Sequence, residues 1–87
     1  MNIFVKKNTL NRKIKLIWDF RGPDALEIAK HHCVHLSEFS EKENLKQHEI
    51  STDQISEMYS IAYITVDESE LIIYRDALKP HRGEVAK

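Results

Sequence analysis

Eighty-seven residues, 41% hydrophobic and 31% charged, describe one small folded domain, residues 1–87, rather than a disordered chain or several domains. The single cysteine, Cys33, excludes an internal disulfide, and no stretch nears the ~20 apolar residues of a membrane span. Only three apolar residues in a row follow Asn2, against the run of about 7–15 in a secretory signal, so cytoplasm is the expected compartment.

The net charge of −1 hides a division along the chain. Residues 1–21 carry six basic side chains against Asp19 alone, whereas residues 22–78 carry four basic and twelve acidic ones. Opposite segments of this kind attract one another, within a chain or between copies. The basic stretch around residues 6–15 lacks an aromatic platform or Arg-rich groove, and the acidic remainder repels phosphate, which argues against nucleic acid as a partner.

In chain order, residues 1–11 read as an extension or a short extra strand. Lys13–Arg21 alternates apolar Ile14, Leu16, Trp18 and Phe20 with a mostly polar set, the period-two pattern of a strand. Gly22-Pro23-Asp24 has helix-start chemistry, with Gly22 at the cap, Pro23 in the first helical position and Asp24 facing the dipole. The helix that follows places Ala25, Ile28, Ala29, His32, Leu36 and Phe39 on one face and runs to about Glu43 or Asn44. Residues 45–50 read as a weak strand and Ser51–Ser56 as a turn. Met58–Val66 is a strand with two apolar faces: Met58, Ser60, Ala62, Ile64 and Val66 on one, Tyr59, Ile61, Tyr63 and Thr65 on the other. Asp67–Lys79 divides between hairpin and helix; the Asp67/Glu70 capping box and the arc of Leu71, Ile73, Tyr74, Ala77 and Leu78 favour the helix, ended by Pro80. Pro80–Lys87 reads as a loop or a short edge strand.

Strand–helix–strand–strand–helix is the order of an α+β, ferredoxin-like split βαβ sandwich, an antiparallel sheet with helices on one face. Two helices on one face leave Tyr59, Ile61 and Tyr63 without a cover. Each buried aromatic removes about 150–250 Å2 from water at about 25 cal/mol per Å2, so a homodimer pairing sheet to sheet is expected. In element order alone this resembles the dimeric α+β barrels, in which two ferredoxin-like sheets enclose a ligand pocket. No motif ties the chain to a characterised family, and a fold does not fix a function.

Candidate chemistry gathers in four places. His31 and His35 stand i, i+4 on the helix, the spacing with which two imidazoles reach one zinc, although solvated histidines explain the pair as well. His32, at the centre of the apolar stripe, is either a neutral packed imidazole or an acid/base group. Asp19 and Arg21 share the face of Ile17 and Tyr59, where an ion pair between them competes with proton handling or anion binding by His32 or His35 with Asp19 and Arg21. Arg75 and His81, with Tyr59 and Tyr63, form the candidate ligand-binding set. No paired carboxylates, nucleophile–base pair, glycine-rich loop or complete metal set is visible, so the reading is a domain that binds a small ligand or protein partner at its sheet face. A cofactor-independent isomerase, lyase or oxygenase is the alternative, and zinc binding through His31 and His35 the next; no cofactor is otherwise expected.

Overall fold

The computed structural model describes residues 12–86, so the reading of residues 1–11 as an extension or extra strand lies outside the described residues. Strand β1 (Lys13–Arg21) leads through Gly22 into helix α1 (Ala25–Lys42). Gly22 adopts φ 117°, a region open to glycine alone at little cost, and its N–H donates to the Met58 carbonyl at 2.8 Å. Asp24, not Gly22, is the cap residue, and its side chain makes no capping bond. Helix α1 ends where Asn44 turns left-handed (φ 56°) and Leu45 N–H returns to the Ser40 carbonyl at 2.9 Å.

Strand β2 (Glu49–Ser56) covers the segment expected to turn. Ser51–Ser56 is polar, but it pairs with a strand that is itself fully extended, and that pairing overrides weak local propensity. The register slips between Gln54 and Ser56, leaving Ile55 as a bulged, exposed residue. The turn is confined to Glu57 and Met58, after which strand β3 (Tyr59–Asp67) returns. A 3-10 turn (Glu68–Glu70) and helix α2 (Leu71–Leu78) follow, so the helical reading of this segment holds, although Asp67 makes no side-chain capping bond. Lys79, left-handed at φ 50°, ends α2 ahead of Pro80, and strand β4 (Arg82–Ala86) closes the described chain.

The result is an α+β fold, a four-stranded antiparallel sheet in the order β2-β3-β1-β4 with two helices. Both helices lie on one face, where Leu36 of α1 and Tyr74 of α2 pack with Ile14, Leu16, Trp18, Ile64 and Val66. Ile28, expected on the buried stripe of α1, is 48% exposed; Ala25, Ala29 and Leu36 carry the contact. Helix α2 is tied down by polar bonds as well as packing. The Trp18 indole donates to the Leu78 carbonyl at 3.0 Å, and the Tyr74 hydroxyl lies 2.9 Å from both the Lys46 carbonyl and Ser40 Oγ. The Tyr74 hydroxyl donates to the Lys46 carbonyl, and the single Ser40 proton is shared between the Leu36 carbonyl at 3.1 Å and the Tyr74 oxygen. No helix among the described residues is long and apolar enough to cross a membrane.

Candidate functional site

The face without helices is built by strand alternation. Lys13, Lys15, Ile17, Asp19 and Arg21 of β1 stand beside Asp67, Thr65, Tyr63, Ile61 and Tyr59 of β3. Glu49, Ser51 and Asp53 of β2 extend the face on one side, and Arg82, Glu84 and Ala86 of β4 on the other. Ile17, Ile61 and Tyr63 form a second apolar cluster at its centre, with Tyr59 packed against them.

Asp19 is the hub. Tyr59 donates its hydroxyl proton to Asp19 Oδ1 at 2.5 Å, and Arg82 donates through two nitrogens to the two carboxylate oxygens at 3.1 and 3.3 Å. The Arg82 guanidinium, followed by the Tyr59 hydroxyl, holds the Asp19 carboxyl below the usual carboxylate range. Arg82 continues to Glu84 at 3.1 Å. His81 Nδ1 accepts the Asp19 backbone N–H at 2.8 Å, which fixes the proton of its neutral form on Nε2. Arg21, expected to pair with Asp19, instead lays its guanidinium 4.0 Å above the Tyr59 ring. Toward the other edge, the Lys15 ammonium sits 4.1 Å from the Tyr63 ring centroid, and the Tyr63 hydroxyl donates to Glu49 at 3.3 Å.

These long side chains change the expectation of a wet apolar face. Ile17, Ile61 and Tyr63 are only 2%, 5% and 9% exposed within one chain, and Lys15 and Arg21 lie over the Tyr63 and Tyr59 rings instead of projecting from the face. Strand β4, for its part, widens the sheet rather than covering it.

The expected acid/base constellation does not assemble. His32 packs its ring 4.8 Å from Trp18 and 5.6 Å from Phe20 on the helix side, so the sheet stands between it and Asp19. Burial lowers the His32 pKa, with lesser contributions from His35 and His81, and its Nε2 is enclosed without a partner among the described residues. His35 is exposed on α1, 3.5 Å from Glu38, and is likewise cut off from Asp19 and Arg21. His31 and His35 do meet, ring centroids 4.7 Å apart and edge to face, but among the described residues no third His, Cys, Asp or Glu joins them to complete a metal-holding group. Arg75 lies on α2, on the helix side, apart from Tyr59 and Tyr63 on the open face. Cys33 donates to the Ser51 carbonyl at 3.3 Å, and burial pushes its thiol up, away from thiolate chemistry.

The place of Arg82 and Glu84 on a strand facing Asp19 was hidden in the sequence by the loop-like composition around Pro80 and Gly83, where Arg82 stands out only as one of a run of cations with Arg75, Lys79 and His81. Their own signal is two opposite charges separated by one residue on a short strand. The pairing of His48 Nε2 with Asp67 at 2.7 Å joins residues 19 positions apart and has no local sign at all. Compared with known proteins, the chain matches no family model, no curated protein and no solved structure.

Proposed function

We propose that this chain is a ferredoxin-like binding domain that works as a homodimer, its open sheet face meeting a second copy and framing the surface that takes a small ligand or protein partner. The ferredoxin-like assignment is supported by the sheet order: β3 lies between β1 and β2, the strands flanking α1, and β1 lies between β3 and β4, the strands flanking α2. That interleaving is the split βαβ arrangement.

The observation that carries the self-association is the division of charge across the open face. Strands β2 and β3 contain no Lys or Arg and contribute Glu49, Asp53 and Asp67. Strands β1 and β4 contribute Lys13, Lys15, Arg21 and Arg82 against Asp19 and Glu84. A two-fold axis parallel to the strands sets β2 of one copy over β4 of the other, which brings each acidic half onto a basic half. Because Ile17, Ile61 and Tyr63 are already shielded, the association is steered by charge more than by apolar burial and is sensitive to salt.

A binding role is favoured over catalysis because Asp19, the best-connected ionisable group on this face, is occupied by Arg82 and Tyr59, and the histidines proposed to work with it lie beyond the sheet. The test is sedimentation of the Glu49→Lys, Asp53→Lys double variant at low salt. The proposal predicts that wild type sediments at twice the single-chain mass and the variant as a single chain; equal masses reject this interface.

A further inference from the structure

We infer that the cleft between α2 and β4, on the helix side of the sheet, is a binding site for a small amphipathic carboxylate. It lies on the opposite side from the open face and stands independently of the self-association. Helix α2 is only eight residues long, and beside it β4 reaches the edge of the sheet. The space left between them is about 320 Å3, room for roughly ten waters. That lies in the lower range of small-ligand sites and is far too small to seat a protein surface.

The floor and walls are apolar: Ile14 and Leu16 from β1, Leu71 from α2, Pro80, and Val85. Gly83 keeps the cleft open. It pairs with Leu16, and a Cβ there would stand 3.4 Å from Leu16 Cδ2 and 3.7 Å from Ile14 Cγ2, so any longer side chain would extend into the space. Arg82 and Glu84 direct their side chains to the other face, where they pair with Asp19 and each other, and border the cleft through their main chain. Arg75 therefore supplies the charged side chain on this side. Its contact with Asp76 is a 3.4 Å pair between neighbours, each more than half exposed, which holds a guanidinium weakly. Five donors on that fork suit a carboxylate. Ile72, 60% exposed, follows on the same flank of α2, and Val85, 50% exposed, lies across the cleft, so the apolar surface continues outward past the cation. An apolar tail in the cleft with a carboxylate on Arg75 meets both features.

Octanoate titrated onto the 15N-labelled chain tests this site. The expected result is saturable amide shifts centred on Leu71, Gly83 and Val85. Arg75→Gln should weaken octanoate roughly tenfold, the loss of about one charge-assisted hydrogen bond, and leave octan-1-ol binding unchanged. Gly83→Leu, checked for folding by circular dichroism, should abolish both; if that variant does not fold, Arg75→Gln decides. No saturable shift, shifts confined to the open sheet face, or an unchanged octanoate affinity in Arg75→Gln would each overturn the assignment. So would shifts at Gly83 and Val85 that depend on protein concentration without ligand, since a second copy would then fill the cleft.

Discussion

Asp19 and His32 show how two ionisable residues of one small domain come to play unlike parts. Asp19 gains two guanidinium bonds and a phenol bond in the fold, so its carboxyl is depressed relative to the unfolded chain. A depressed carboxyl stabilises the fold above the unfolded pKa of about 3.9, and that contribution disappears as pH falls through the folded value. Asp19→Asn is therefore expected to cost about 1 kcal/mol at pH 7, with the gap to wild type closing in acid; urea unfolding at pH 7 and below about 3.5 measures it. His32 behaves in the opposite way. Burial lowers its pKa, so the unfolded chain binds a proton more readily than the folded one, and stability falls as pH drops below about 6.5. His32→Leu should remove that loss while keeping the contact with Trp18 and Phe20. At pH 8 its stability should lie within about 1 kcal/mol of wild type, and at pH 5 it should be the more stable protein. A His32→Leu variant less stable than wild type at both pH values would show that Nε2 has a partner after all.

At the scale of elements, β1, α1 and β3 were legible because each carries a strong period: alternation in Lys13–Arg21 and Met58–Val66, and the Ala25–Ala29–Leu36 spacing in α1. Strand β2 was not legible in full, since Glu49–Ser56 is polar and earns its conformation from β3 beside it. Helix α2 stood against a high β propensity in Leu71–Tyr74, and what decides in its favour is tertiary: Tyr74 buried under α1 with its hydroxyl satisfied, and Trp18 bonded to the Leu78 carbonyl. Tyr74→Phe should therefore destabilise by about 1–2 kcal/mol, because it removes the donor to the Lys46 carbonyl and leaves Ser40 only its bond to the Leu36 carbonyl, in a site where the phenol is wholly enclosed. Thermal unfolding that leaves Tyr74→Phe equal to wild type would mean that water reaches those groups and that α2 is held by packing alone. The candidate site was half legible for the same reason. Sequence alternation placed Asp19, Arg21, Tyr59 and Tyr63 on one face, but the partner that organises them, Arg82, comes from a strand whose 63-residue separation from Asp19 leaves no local trace.

For the whole molecule, the expected greasy and uncovered face proves to be a shielded one. Lys15 and Arg21 roof the tyrosines, and the apolar strip beneath is nearly closed to solvent within a single chain. What remains for the proposed second copy to recognise is the pattern of charge, acidic on β2 and β3 and basic along β1 and β4. Recognition by charge carries a signature that apolar burial does not, because raising salt from about 0.01 M to about 1 M shortens the screening length from about 30 Å to about 3 Å. Sedimentation of the wild-type chain across that range is the most direct measurement. Twice the single-chain mass at low salt, falling toward one chain at high salt, is the predicted result. A single chain throughout, or a dimer indifferent to salt, would contradict it.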